Sequence, residues 1–287
     1  VSGESEAMRV TPPAESWCHL AMPATPALRR WVGELWAGGP GTGVCVGSGT
    51  RERVLPTGYM HLVIRLAGPS LRLFDSACDT TGRPLGHCIV GGARDEAYLR
   101  AVDPGASSVG VMLRPGAAAA LFGASAGGLA GTHWRLEDFW GGDPARLRER
   151  LIEAGDARLQ LRILERELVR RLRDARDVHP AVALGLARLP VGVSVGTVVR
   201  DTGLSHRRFI RLFRDSVGLS PKAWARVLRF RRAVKALAAG LTPAAAAAAE
   251  YSDQAHFGRE FVRISGLTPA QYRRIDPPHP NHVPIEH

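Results

Sequence analysis

Arg207, Arg211 and Arg214 recur at helical spacing, with Ile210 among them. A guanidinium is a planar fork of donors that matches guanine O6 and N7 or two phosphate oxygens, and an isoleucine methyl can lie against the methyl of thymine. On the other side of the same helix stand Phe209, Leu212 and Phe213, at i, i+3 and i+4, the pattern of a face that packs on a core. The chemistry open to such a helix is recognition of a nucleic-acid groove. His206 and Arg208 lie on its flanks, where phosphates would run. Ser205 has the type and place of an N-cap, Gly203 supplies a turn, and "SVGTVVRDT" ahead of it reads as a short helix. Helix, glycine turn, helix is the helix-turn-helix arrangement.

The phrase is written twice. Moved forward by 48 positions, Phe209 falls on Phe257, Arg211 on Arg259, Phe213 on Phe261, and Gly218-Leu219 on Gly266-Leu267. The second copy keeps a core side, Phe257, Phe261 and Ile264, and turns Ala255, Gly258, Arg259 and Val262 outward. Ser252, Gln254 and His256 lie at its start and flank. The two reading helices are therefore expected to be unequal. The first carries most of the charge and base discrimination, and the second, with Ala255 and Gly258, approaches the sugar-phosphate backbone more closely. Between them Ser220-Pro221 opens a helix expected to run to Leu237. At ~1.5 Å per residue it is a rigid spacer of about 25 Å. With the width of the flanking units it suits two major grooves ~34 Å apart.

Charge follows the same division. From Pro190 to Arg274 there are 15 Lys plus Arg against 5 Asp plus Glu, which accounts for +10 of the chain's +11. A basic block joined to a neutral remainder implies a polyanion-binding module attached to something else.

That remainder reads as short strands and then helices. "MHLVIRL" (Met60–Leu66), "LRLF" (Leu71–Phe74) and "SVGVML" (Ser108–Leu113) are short, alternating or β-branched, and bounded by glycine and proline turns, which predicts a β-sandwich or small barrel. His61 and Arg65 share a strand face with Val63 and either line its interior or are exposed. Helices are expected after Pro115, among them one opened by Asp143-Pro144 and one from Ala157 to Arg173. The Leu161, Leu164, Leu168, Leu172 stripe of the latter either packs on the chain's own barrel or makes a dimer contact. From Pro180 onward no strand is expected. No apolar run approaches the ~20 residues of a membrane span, and "VSGESEAMRV" lacks the features of a signal peptide, so the expected compartment is the cytoplasm. Cys18, Cys45, Cys78 and Cys88 show no CxxC spacing and read as reduced, mostly buried thiols; the weaker alternative is a zinc site with His19, His61 or His87. No nucleophile–His–acid grouping is evident, and "GGPGTG" (Gly38–Gly43) lacks the Lys-Ser/Thr of a P-loop, so neither catalytic residues, a cofactor nor a metal is assigned.

"GLSHRRFIRLFRDSVGLSP", "RFRRAVKAL" and "YSDQAHFGREFVRISGLTPAQYRR" together closely resemble the DNA-binding domain of AraC/XylS-type transcription regulators, over about a third of the chain. The resemblance implies an all-α domain of two helix-turn-helix units in one chain, binding tandem major grooves of double-stranded DNA. By position, base contacts fall on Arg207, Ile210 and Arg211 and on Gln254, His256 and Arg259. "RERVLPTGYMHLVIRLAGP", "IVGGAR" and "VGVMLRPGAAAALFG" are more loosely similar to the cupin-like sensor domains of such regulators. The expected architecture is α+β in two domains. Residues 1–177 form a sensor or dimerisation domain, with a β-barrel at about 28–115 and helices at about 116–175. Residues 178–275 form the DNA-binding domain, and 276–287 a tail. A small-molecule effector, a homodimer and, for an activator, RNA polymerase are the partners this implies, with no membrane and no catalysis. The alternative is a DNA-repair or alkyl-transfer enzyme fused to the same DNA-binding domain. Where the family usually has Gly two residues before the second reader's serine, this chain has Glu250, so a strained or differently shaped turn is expected there.

Overall fold

Alternation along Met60–Ala67 sets the architecture. Met60, Leu62, Ile64 and Leu66 are buried on one face, and His61, Val63 and Arg65 occupy the other. Side chains two apart share a face of a strand, so this strand has an apolar side for helices and a polar side for a second sheet. The structure, a computed structural model, describes residues 20–39, 51–172 and 176–285. Cys18, His19, Cys45, Arg173 and most of the Gly38–Gly43 loop lie outside the described residues.

Nine strands come first: β1 (Leu20–Pro23), β2 (Val32–Gly38), β3 (Arg51–Val54), β4 (Met60–Ala67), β5 (Leu71–Phe74), β6 (Arg83–Gly86), β7 (Cys88–Gly91), β8 (Tyr98–Ala101) and β9 (Ser107–Leu113). Then follow α1 (Ala117–Phe122), α2 (Ala126–Leu129), β10 (His133–Arg135), α3 (Glu137–Trp140), α4 (Asp143–Ala154) and α5 (Ala157–Leu172). The C-terminal helices are α6 (Pro180–Arg188), α7 (Val195–Thr202), α8 (His206–Val217), α9 (Pro221–Ala238), α10 (Pro243–Glu250), α11 (Gln254–Ser265) and α12 (Pro269–Ile275), with a 3-10 turn at Leu189–Val191. A last strand, β11 (His282–Ile285), ends the described chain.

The strands form two antiparallel sheets, ordered β1-β2-β9-β4-β7-β10 and β11-β3-β8-β5-β6, with no pairing between them. The N-terminal region is thus sheet-rich as expected, in two sheets rather than one closed barrel. Register in the larger sheet aligns Leu35 with Val111, Val111 with Leu62, and Leu62 with Val90, a row of four side chains that are all fully buried. Against that row pack the helices. Leu161, Leu164, Leu168 and Leu172 of α5 are buried in the same core, so the leucine stripe covers the chain's own sheet and is not free for a dimer contact.

Three strands escaped the sequence reading. β1 lies ahead of the stretch expected to form the barrel and pairs with β2. β10 lies in the stretch expected to be helical and pairs with β7. β11 lies in the stretch expected to hold no strand and pairs with β3, His282 opposite Val54 and Pro284 opposite Glu52. Three- and four-residue strands carry too little alternation to be recognised alone. They exist because an open sheet edge offers unpaired backbone groups that need partners.

The apolar core does not stop between the N- and C-terminal regions. Leu62, Val111 and Leu164 belong to one buried cluster with Phe209, Phe213 and Trp224. A second cluster joins Phe230, Phe257, Phe261 and Tyr272 to Leu55 and to Val283 of β11.

Candidate nucleic-acid interface

The first unit is built as its residue types dictate. Ser194 caps α7, its hydroxyl accepting from Thr197 N–H at 3.1 Å. Gly203 closes α7 at φ 66°, a left-handed conformation that an L side chain resists. Ser205 then caps α8, accepting from Arg208 N–H at 3.3 Å. Phe209 and Phe213 are fully buried, with ring centroids 5.8 Å apart. Ser205, His206, Arg207, Arg208, Ile210, Arg211 and Arg214 are all exposed, and Ile210 is among the few large apolar side chains left in solvent. An aromatic back therefore anchors a helix whose other side is exposed, with α2 lying against its Arg214 end, where a Cβ on Gly127 would come 3.2 Å from the Arg214 side chain.

The second unit repeats this with differences. Phe257, Phe261 and Ile264 are buried, while Ser252, Gln254, Ala255, Arg259 and Val262 are exposed. At Gly258 a Cβ would meet nothing within 4 Å, so the outer side of α11 is open where Gly258 sits. The cap of α11 is Asp253, whose Oδ1 accepts from His256 N–H at 2.6 Å, and Ser252 only donates to Asp253 at 3.4 Å. That backbone bond holds the Asp253 carboxyl below its usual range. His256 is half-buried, edge-on to Tyr251 at 5.6 Å and 3.9 Å from Glu260. It is thus less free than Gln254 and Arg259.

Of the strained or differently shaped turn expected at Glu250, the second is found. Glu250 is the last residue of α10, and Tyr251 after it is extended (φ −133°, ψ 154°), so no left-handed residue is needed. Nearby, Arg229 donates to both carboxylate oxygens of Glu260, at 3.1 and 3.2 Å, and lies over the Tyr251 ring at 4.8 Å.

α9 joins the units without a break. Its 18 residues span about 27 Å. Its arginine-rich side carries a row of ion pairs: Arg226 with Asp95 at 2.8 Å, Arg229 with Glu260, and Arg232 with Glu250. A groove of about 760 Å³ runs beside that row, lined by Val191, Lys222, Arg226, Arg229, Glu250 and His256 among others. Sequence reasoning missed Asp253 and Glu260. Asp253 was legible, three residues before a helical N–H, as an N-cap. Glu260 was not, because its partner Arg229 is 31 residues away.

Residues 198–275 match the family model described as a helix-turn-helix domain. With the tandem units above, this decides the class. The C-terminal domain is that of an AraC-type transcription regulator. The chain accordingly carries a DNA-binding helix-turn-helix domain behind a sheet-rich region. Residues 21–135 match a family model described as a domain of unknown function, DUF6597. No curated protein matches the chain. Among solved structures, the AraC-type domain is similar to the C-terminal domain of AraT, a response regulator from Geobacillus stearothermophilus (21% identity, 34% of this chain and 88% of that one, TM-score 0.32). It is also similar to a probable AraC family regulator from Rhodopseudomonas palustris (26% identity, 33% and 96% covered, TM-score 0.30). Both regions together are similar in outline to ToxT from Vibrio cholerae (10% identity, 84% and 96% covered, TM-score 0.45). Among the described residues no helix is long and apolar enough to cross a membrane, and no cluster of His, Cys, Asp or Glu could hold a metal ion. Cys78 is exposed, and burial pushes the Cys88 thiol up to about 12, away from an activated nucleophile.

Proposed function

We propose that this regulator is sequence-specific, that α8 and α11 read adjacent major grooves, and that the N-terminal sheets control how the two units are held. The observation that carries this reading is the pair of helices with aromatic backs and exposed outer sides, joined by one uninterrupted helix. In α8 the base-reading residues are Arg207, Ile210 and Arg211, with Ser205, His206, Arg208 and Arg214 placed for phosphates. In α11 they are Gln254 and Arg259, with His256 and Ser252 at the margin. The exposed arginines of α8 outnumber those of α11, which supports unequal readers.

Selection of bound duplexes from a random library with the full chain tests this. The expected result is two dissimilar half-sites about 10–10.5 base pairs apart, the more constrained one depending on Arg207 and Arg211. No enrichment over random duplex, or enrichment of one half-site alone, overturns it.

A further inference from the structure

After the second reading unit the chain turns back. β11 returns to the smaller sheet and forms its edge beside β3. The Tyr272 hydroxyl donates to the Pro280 carbonyl at 2.9 Å and fixes the return. Register places Val283 opposite Arg53, and the Leu55 N–H extends the pairing to the Asn281 carbonyl at 2.8 Å. Opposed residues of two paired strands share one face. One face of this ribbon carries Glu52 and His282, which meet at 2.9 Å and join Arg100 of β8. The other carries Arg53 and Val283 and is turned to α11.

That face holds the carbonyl end of a reading helix. The last carbonyls of an α-helix have no partner within it. At the end of α11 the Ser265 carbonyl accepts from Arg53 Nη1 at 2.7 Å, and the Ile264 carbonyl from the Ala97 N–H at 2.8 Å. Arg53 is half-buried, and no carboxylate pairs with it among the described residues. The negative end of the helix dipole stands in that place. Gly266, without a side chain, leaves the guanidinium its room. Val283 is buried in one cluster with Phe257 and Phe261, the aromatic back of α11. The second reader is thus gripped at its back and its end by a ribbon outside its own helix-turn-helix unit.

The first reader is held by other elements. Phe209 and Phe213 lie in the core of the larger sheet with Leu62 and Val111, and the Gly116 N–H donates to the Ser216 carbonyl of α8 at 2.8 Å. The two cores divide α9 between them. Trp224, Val227 and Leu228 belong to the first, and Phe230, Val234 and Leu237 to the second. Each reader therefore rests on a different sheet. A long helix curves gently, so α9 fixes a length better than a direction. The sheet contacts supply the direction.

We infer that Arg53 and Val283 are positioning residues for DNA recognition: without touching the duplex they seat the end and the back of α11, and so set the half-site spacing that the chain accepts. This rests on the adjacent-groove reading, and the experiment separates the two. The full chain is titrated by fluorescence anisotropy with duplexes that carry both selected half-sites at the selected spacing and about one and two base pairs either side of it. A duplex with the α8 half-site alone serves as control. The parent is expected to prefer the selected spacing about tenfold. Arg53→Met and Val283→Ala should each cut that preference to about threefold or less, by losing affinity at the selected spacing and keeping it at the others. Both should bind the α8 half-site as the parent does, which reports an intact first unit. Arg53→Lys, which keeps a donor for the Ser265 carbonyl, should retain most of the parent's preference. An unchanged preference in Arg53→Met and Val283→Ala overturns the assignment. So does an equal loss at every spacing, the mark of a merely weakened fold. An Arg53→Lys profile no better than that of Arg53→Met overturns the role of Arg53. A parent with no preferred spacing overturns the adjacent-groove reading and this assignment with it, whereas variants that keep a clear parental preference overturn this assignment alone.

Discussion

Arg232 and Glu250 form a fork: Arg232 Nε lies 2.8 and 2.9 Å from the two carboxylate oxygens of Glu250, and Arg232 Nη1 donates to the Pro190 carbonyl at 3.2 Å. One guanidinium thereby ties the end of α10 to α9 and to the 3-10 turn that precedes the first reading unit. Arg232 is 45% exposed, so the pair is worth little as Coulomb energy and more as a fixed geometry. A double-mutant cycle of Arg232→Ala and Glu250→Ala in urea unfolding should give a coupling of ~0.5–1 kcal/mol. The same variants should tolerate altered half-site spacing better than the parent in gel-shift assays. A coupling of zero with unchanged spacing preference would remove this tie from the account.

Arg207→Ala and Arg211→Ala should each cost ~1–3 kcal/mol on the selected duplex and relax preference at particular base pairs. Arg259→Ala should cost less than Arg211→Ala. Fluorescence anisotropy on the selected site and its single-base variants checks both statements. Equal losses on every duplex would mean phosphate contacts alone.

Gly258 separates stability from binding. It lies within α11, where a Cβ would meet open space. Gly258→Ala should stabilise the chain by up to ~1 kcal/mol, because alanine loses less backbone entropy in a helix. It should weaken DNA binding if the backbone of the duplex comes close there. Thermal melting and anisotropy on one preparation test the two effects.

Gly266 behaves oppositely. It adopts φ 70°, and a Cβ would lie 2.4 Å from Arg53 Nη1, the nitrogen that donates to the Ser265 carbonyl at 2.7 Å. Gly266→Ala should destabilise by ~1–2 kcal/mol through the left-handed backbone alone, and should loosen the hold of β3 on α11. Hydrogen exchange at Ala97, whose N–H donates to Ile264, should rise in that variant.

His133 makes stability depend on acid. Its folded value, about 3, lies below the ordinary 6.5 because burial and nearby arginines disfavour the imidazolium. The unfolded chain therefore takes up a proton that the folded site refuses. This contribution is whole above pH 6.5 and is lost as pH falls from 6.5 toward 3, at up to ~1.4 kcal/mol per pH unit. Glu52 works in a lower window. Burial alone would raise its carboxyl, but Arg100 and His282 outweigh that and hold it at about 2, below the ordinary 4.5. Its contribution is present above pH 4.5 and lost between 4.5 and 2. Urea midpoints at pH 7.5 and 5.5 should differ less in His133→Asn than in the parent.

Much of the C-terminal half was legible in the chain itself. Gly203, Ser205, Ser220 and the 3.6-residue spacing of Phe209 and Phe213 are local signals. Helix ends and faces follow from them because capping and amphipathicity act over one or two turns. For the same reason β5 falls where "LRLF" predicts, and β4 and β9 fall within a residue of prediction. The ion pairs of Arg226 and Arg229 could not be read locally, because their carboxylates, Asp95 and Glu260, are distant in sequence. β10 and β11 exist only because sheet edges at β7 and β3 supply their partners.

What the amino-acid order determined alone is the pair of amphipathic helices α8 and α11: which side is aromatic and which is exposed. Tertiary structure decided how they are held. Glu52 joins Arg100, 48 residues on, and His282, 230 residues on at 2.9 Å, so the last strand locks onto the smaller sheet. Val283 on that strand then fills the core of the second unit. The physical reason is range: backbone caps and helical periodicity are settled between neighbours, whereas ion pairs, sheet edges and shared cores exist only once distant segments have been brought together.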